Sequence, residues 1–314
     1  MDLKKIAFLF PGQGSQSVGM GLDFYQEFVF VKEIFEMASE ICKMDISKLC
    51  FKGPMEDLTK TINLQPCVTA VNLSFLSAIE KEGIVPAFSA GHSLGEYSAL
   101  CAAKTVSNED ALKLVFKRGQ LMHRESLKHK GAMHAIVGLS IEDVDQIVSG
   151  IQKEGIVSVA NHNTKTQIVI TGEPEAVQKA SDIACEKGAK AIPLKVSGAW
   201  HSELIRGAEE EFIEYLNTFS FEKTETPVIH NVSADIASEP SEIRDLVGKQ
   251  LCNPVKWFDS INRLINDQVE IFVEIGPGTV LTGLVKKILP KDYPFKAYSI
   301  NSMKNFENFI KEVK

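Results

Sequence analysis

Ser93 stands in the frame Gly91-His92-Ser93-Leu94-Gly95. A Gly-x-Ser-x-Gly frame can set its serine on a sharp turn between a strand and a helix. Glycine suits both flanks because a Cβ there would crowd the backbone. The hydroxyl then stands at the start of a helix, where backbone N–H groups can receive a developing oxyanion. Apolar and small residues precede the frame, and Ala99, Leu100, Ala102 and Ala103 follow in a helix-favouring stretch. An ordinary Gly-rich turn fits the same five residues, so the rest of the chain must discriminate.

A serine hydroxyl needs a base within hydrogen-bond reach. Among the seven histidines, His92 adjoins the serine, but neighbouring side chains diverge on such a turn. His129 lies in the charged run Leu127-Lys-His-Lys130 and is expected in solvent. His201 follows the serine in chain order, in the segment Gly198-Ala-Trp-His-Ser202 between a predicted strand and a predicted helix, and is the preferred base. No acidic third member is assignable, and a backbone carbonyl could orient the imidazole equally well. Arg118 interrupts the apolar stripe Ala111, Leu114, Val115, Leu121, Met122 of a helix predicted over 108–124, with Ser107 as N-cap. A guanidinium facing a core cannot lose its charge and needs an anion. That anion is either an internal partner or a substrate carboxylate held bidentately, and the spacing leaves both open.

The elements that must position these groups follow from periodicity. Ile6–Phe10 reads as a buried strand ending in Pro11-Gly-Gln-Gly-Ser-Gln16, which lacks the third glycine of a dinucleotide loop and the lysine of a P-loop. Helical patterns cover 25–39 and 65–81. Residues 126–196 change rhythm: strand 132–137, helix 141–154, strands 157–161 and 167–171, helix 174–187, strand 191–196. This β-α-β-β-α-β order is that of a ferredoxin-like unit inserted into a larger α/β domain made of 1–125 and 197–314. After it come a helix over 203–219, a strand over 227–231, helices over 242–251 and 257–267, and a strand over 270–275 that ends in Gly276-Pro-Gly278 and a helix.

Composition narrows the class. The 314 residues are 44% hydrophobic and 24% charged, as in ordinary globular proteins, and a net charge of −7 argues against bulk nucleic-acid binding. Six cysteines are scattered without a C-x-x-C pair, which suits reduced thiols rather than disulfides or zinc. No apolar run approaches the ~20 residues of a membrane span, and residues 6–10 are too short for a signal-peptide core. A cytoplasmic protein without membrane contact is expected.

Several motifs occur together and in order: Phe10-Pro-Gly-Gln-Gly-Ser-Gln16, Gly91-His-Ser-Leu-Gly-Glu96, Arg118-Gly119, Gly131-Ala-Met133, Asn161, Gln167 through Gly172, Ser197-Gly with His201-Ser202, and Phe272-Val-Glu-Ile-Gly-Pro-Gly278. In these the chain resembles the bacterial malonyl-CoA:acyl-carrier-protein transacylases of type II fatty acid synthesis, over nearly its whole length. The resemblance implies an α/β-hydrolase-like core with the ferredoxin-like insertion, and a ping-pong transfer of malonyl from malonyl-CoA to holo acyl carrier protein. By residue it implies Ser93 as nucleophile, His201 as base and then acid, and Gln13 with the N–H of Leu94 as oxyanion hole. It further implies Arg118 as receptor of the malonyl carboxylate, the carbonyl of Gln250 orienting the histidine, and Trp200, His92 and Asn161 in the pocket. No metal or cofactor is implied, CoA thioester and phosphopantetheine being substrates, and a monomer is expected. Two departures stand out. Ala199-Trp200 replaces the family's Pro-Phe, and an aromatic there favours malonyl over methylmalonyl. His134 replaces a small residue and reads as a surface difference. The rival readings are an acyltransferase serving a polyketide synthase, whose site would be identical, and a serine esterase or thioesterase, which has no use for a buried cation. Lys286, Lys287 and Lys190 are the basic residues proposed to meet an acidic carrier.

Overall fold

Strand β1 (Lys5–Phe10) is apolar on both faces because it lies inside a sheet covered on both sides. The structure, a computed structural model, describes residues 5–314, so residues 1–4 of the expected first segment lie outside the described residues. The other strands are β2 (Phe88–Gly91), β3 (Ala132–Val137), β4 (Val157–Thr164), β5 (Gln167–Gly172), β6 (Lys190–Pro193), β7 (Val228–Ile229), β8 (Ile236–Ala237), β9 (Val269–Ile275) and β10 (Lys296–Ile300). One sheet runs β10-β9-β1-β2-β7-β8, parallel except for β8 at its edge. Alternation along β1 divides its side chains. Phe8 and Phe10 join the larger core with the helices Thr61–Lys81 and Asn108–Lys128, while Ala7 and Leu9 join a second core with Trp257, Ile261 and Leu284.

The second sheet runs β4-β5-β3-β6, all antiparallel. The helices Ile141–Ile151 and Pro174–Glu186 cover one face of it around Ile136, Ile168 and Ile170. The opposite face, with Ala135 and Val169, turns toward the first sheet. A parallel bridge, Asn161 to Val255, ties β4 to the segment just before the helix Trp257–Asn266: His162 N–H donates to Val255 O (2.9 Å) and Val255 N–H to Ala160 O (2.8 Å). Where the chain crosses between the sheets, a Cβ on Gly131 would stand 2.3 Å from Ala199 N, so only glycine lets the two crossings touch.

Most expected elements are present, with shifted ends. The pattern over 25–39 divides into Leu22–Glu27 and Val29–Cys42 because Phe28 is extended (φ −113°, ψ 127°). The helix after Ser107 runs one turn further, to Lys128, and Ser107 Oγ accepts from the N–H of Asp110 as an N-cap. Helices Ile46–Lys52, Met55–Thr59 and Met303–Val313 and strands β8 and β10 have no counterpart in the expectation. Two readings need correction. The helix Thr61–Lys81 is long and apolar enough to cross a membrane by length and composition, contrary to the search of the sequence, but it is a core helix with 83% of its most apolar stretch buried. Gln65, Thr69 and Asn72 break the apolar run and hid it. His134 is not at the surface: it faces the helix Pro174–Glu186, and its Nδ1 meets Ser181 Oγ at 2.7 Å, which satisfies a buried ring. His129 is exposed, as expected.

Candidate active site

The first functional fact is a backbone one. Ser93 has φ +50°, a left-handed conformation unusual for a residue with a Cβ, held by close packing on the end of β1. His92 N–H donates to Phe10 O (3.0 Å), which docks the turn on β1. A Cβ on Gly91 would lie 2.0 Å from Gly95 C, and one on Gly95 would lie 1.9 Å from Phe10 O. Both glycines of the frame are therefore obligatory. From the other side Asn231, just past β7, clamps the turn: Ser93 N–H donates to Asn231 Oδ1 and Asn231 Nδ2 to Gly91 O, each at 2.6 Å. This amide continues the β2–β7 ladder past its last paired residues, supplying a donor and an acceptor where a neighbouring strand would.

His201 Nε2 lies 2.8 Å from Ser93 Oγ, across 108 residues of chain. Its Nδ1 faces two carbonyl oxygens, Gln250 O at 2.9 Å and Asn253 O at 3.1 Å. Carbonyls only accept, so Nδ1 carries the proton and Nε2 presents its lone pair to the hydroxyl. Burial, followed by the neighbouring Arg118 charge, pushes His201 down from its ordinary value to about 3, so the ring is a neutral acceptor at pH 7.

Arg118 points into the same place. It is 1% exposed, and its Nη2 donates to Ser93 Oγ (3.2 Å) and to Gln250 Oε1 (3.0 Å). The guanidinium carbon lies 5.8 Å from the centre of the Tyr97 ring. Burial lowers its proton affinity, but a guanidinium starts far enough above neutrality to remain a cation. Among the described residues no carboxylate forms a salt bridge with it, and its Nε meets no acceptor. This removes the simplest internal-partner reading that the spacing had left open.

A cavity of about 620 Å³ adjoins the serine turn. Gln13 and His92 line it beside Asn161, Asn163, Lys195, Val280 and Leu284. The Pro11–Gln16 loop lies against the turn so closely that a Cβ on Gly12 would stand 2.4 Å from His92 O and 3.3 Å from Leu94 N. Leu94 immediately precedes the helix Gly95–Ala102. His92 points away from Ser93: its Nε2 meets Asn163 Oδ1 at 2.8 Å and its ring lies 5.4 Å from that of Trp257. Trp200 is not among the residues lining this cavity. It is buried in the main core, folded back over Gly198, where a Cβ would come within 2.7 Å of its ring.

This arrangement suits acyl transfer through a serine, and the comparisons agree. The model of the family described as "Acyl transferase domain" matches residues 7–311. The chain belongs to that acyltransferase family. It is similar to the malonyl CoA-acyl carrier protein transacylase of Bacillus subtilis (strain 168), 46% identical over 288 residues, 91% of each chain. Among solved structures, an acyl carrier protein S-malonyltransferase from Vibrio cholerae superposes with a TM-score of 0.92 at 37% identity, covering 97% of this chain and 99% of that one. A malonyl-transacylase solved with a type II PKS acyl-carrier protein gives 0.94 at 36% identity, covering 98% and 99%.

Four contributors to this acyltransferase site escaped the sequence reading: Asn231, Asn163, Glu96 and the side chain of Gln250. Asn231 is the last residue of the strand expected over 227–231, and the C-terminal end of a strand, where ligand sites gather, was the available signal. Glu96 is a lone charge in the apolar run that follows the frame, and it is 1% exposed. The side chain of Gln250 had no pattern to reveal it.

Proposed function

We propose that the chain transfers a malonyl group from malonyl-CoA to the phosphopantetheine thiol of an acyl carrier protein, through an ester on Ser93. The observation that carries this reading is the buried Arg118 guanidinium, 3.2 Å from Ser93 Oγ, with an unpaired Nε. A carboxylate on the acyl group would answer it, and an esterase for neutral acyl groups would not need it.

The chemistry follows from the placement. Ser93 Oγ attacks the thioester carbonyl as its proton passes to His201 Nε2, and the oxyanion forms beside the Leu94 N–H and Gln13. Collapse breaks the C–S bond, and the proton on Nε2 goes to the CoA thiolate. The carrier thiol then repeats the sequence in reverse, giving its proton to Nε2 as its sulfur attacks the ester. Arg118 holds the malonyl carboxylate throughout, which fixes the acyl group and slows competing hydrolysis. The Gln250 and Asn253 carbonyls do the orienting work that an acidic residue does in a Ser-His-Asp triad. The residues need no metal or nucleotide cofactor for these steps.

The finer fold reading is an α/β-hydrolase-like core, 1–125 and 197–314, carrying a ferredoxin-like unit over 126–196. The β4-β5-β3-β6 order with both helices on one face supports it. The carrier is proposed to dock at the cavity mouth between these parts. Lys195 lines that mouth, and exposed Lys287 continues the Val280, Leu284 stripe of the helix Val280–Ile288 by one turn. Exposed Lys190 opens β6, which ends two residues before Lys195, and exposed Lys286 lies on the same helix as Lys287. A monomeric, cytoplasmic enzyme without membrane or nucleic-acid contact completes the reading. A second reading, service to a polyketide synthase, is favoured by the solved complex with a type II PKS carrier and differs only in the carrier. Rates with purified carrier proteins would separate the two.

The test is intact-protein mass after brief exposure to malonyl-CoA. A single malonyl adduct, absent from Ser93→Ala and discharged by a holo carrier, is expected. Steady release of CoA and malonate without an adduct would make the protein a hydrolase instead.

A further inference from the structure

Behind the serine lies a buried polar network that the transfer steps above do not use. Glu96 and His230 are 1% and 0% exposed, and His230 Nδ1 meets Glu96 Oε1 at 2.8 Å. The other carboxyl oxygen, Glu96 Oε2, accepts from Gln250 Nε2. The same Nε2 also donates to Ser93 O at 3.0 Å, while Gln250 Oε1 accepts from Arg118 Nη2 at 3.0 Å. The amide orientation is dictated by its neighbours, because a guanidinium only donates and a carbonyl only accepts. One side chain, 0% exposed, thus joins the cation, a buried carboxyl group and the backbone of the serine.

A buried cation without a countercharge costs several kcal/mol. A direct Glu96–Arg118 pair would remove that cost, but would fill the guanidinium fork that an acyl carboxylate needs. Inserting an amide keeps the negative charge one side chain away. The two hydrogen bonds from Arg118 to Ser93 and Gln250 both use Nη2, and Nε–H stays unpaired in the buried site. We propose that Glu96 is a positioning residue for acyl selection: through the Gln250 amide it balances Arg118 in the empty enzyme and holds the guanidinium with a free edge for a carboxylate. The proposal rests on the reading of Arg118 as carboxylate receptor.

The substitution Glu96→Gln keeps the shape and removes the charge. The new amide can offer its oxygen to His230 or to Gln250, but not to both as two carboxylate oxygens do. If its NH2 faces Gln250, that amide must turn and loses its grip on Arg118. A lost hydrogen bond to a charged group is worth about tenfold or more in an equilibrium. The experiment measures Ser93 acylation by rapid quench and intact mass, with malonyl-CoA and acetyl-CoA separately, on folded protein. Glu96→Gln should raise the half-saturating malonyl-CoA concentration about tenfold and lower the malonyl-to-acetyl preference by at least as much. Glu96→Asp, which keeps the charge, should retain more of the preference than Glu96→Gln. Gln250→Leu keeps the backbone carbonyl at His201 but cuts the relay, and should shift the preference in the same direction; it decides the matter if Glu96→Gln does not fold. Equal losses for both acyl groups, or an unchanged preference in both relay variants, would overturn the proposal. Arg118→Ala separates the two levels. If it abolishes the preference and the relay variants do not, only the role of Glu96 falls; if it leaves the preference intact, the carboxylate-receptor reading falls first.

Discussion

Replacing Asn231 by alanine tests the claim that an amide outside every recognised motif shapes the Ser93 turn. The substitution unpairs Ser93 N–H and Gly91 O, each of which has a 2.6 Å hydrogen bond to this side chain. A buried group left without its partner costs about 1–3 kcal/mol. Gly91 is fully enclosed and incurs that cost, whereas water can reach half-buried Ser93 and recover part of it. The expected loss of stability is about 2–4 kcal/mol. Freed of the clamp, Ser93 has reason to leave φ +50°, a conformation costing about 1–2 kcal/mol for a residue with a Cβ. A displacement near 1 Å lowers a rate about 100-fold. The assays are chemical denaturation and the rate of malonyl-adduct formation. Asn231→Asp supplies the discriminating control. It preserves volume and the acceptor for Ser93 N–H but sets an oxygen against Gly91 O, so it should be no better than alanine. An Asp variant close to native in both assays, with the Ala variant impaired, would assign the effect to lost volume and refute the hydrogen-bond argument.

Other outcomes follow from the same structure. His201 is held neutral down to about pH 3, below the ordinary value near 6.5, so between these limits the unfolded chain binds the extra proton. Its contribution to stability is complete above pH 6.5 and is lost as pH falls: about 2 kcal/mol should disappear between pH 6.5 and 5 in denaturation curves, and His201→Gln should remove that component. The acid limb of Ser93 acylation should likewise lie well below pH 6.5. Gly95→Ala drives a Cβ to 1.9 Å from Phe10 O and 2.7 Å from Phe10 C, both main chain, and should cost about 3 kcal/mol or more in denaturation. Lys195→Glu and Lys287→Glu should each raise the apparent KM for an acidic carrier several-fold, more at low salt, with adduct formation from malonyl-CoA little changed. An unchanged KM would place the carrier elsewhere.

The legible part of this protein was what repeats or what has a fixed frame. Short apolar runs located nearly all of β1 and β9, the change of rhythm after 126 located β3 and β5, and the Gly-x-Ser-x-Gly frame led to Ser93, where the structure brings His201 and Arg118 together. Arg118 was visible because a charge in an apolar stripe is an anomaly. What stayed hidden has no residue-type signature. The resemblance pointed to the Gln250 carbonyl behind His201, but the second carbonyl there, that of Asn253, is main chain that any residue could supply. The Asn231 clamp depends on where a strand only two residues long ends, and such a strand carries no periodicity. Lys195, among the residues that line the cavity, has no pattern in the sequence that sets it apart from the other lysines. The helix Thr61–Lys81 escaped the search for long apolar segments because its polar residues interrupt the run while packing inward.

The sheet order has a consequence for the nascent chain. β1 lies between β2 and β9, so one edge of β1 waits for a partner made well after β2. The roughly 180 residues between β2 and β9 take about 10–35 s to synthesise at 5–20 residues per second. Through that interval an apolar strand edge and the apolar segment about Ile271–Val273 that will cover it are never available together. Gly95, packed on Phe10, inherits the delay, and so does the serine two residues before it. The ribosome therefore completes the support of Ser93 late, and the burden of keeping this chain from self-association falls on the seconds-old, half-made sheet rather than on the finished protein.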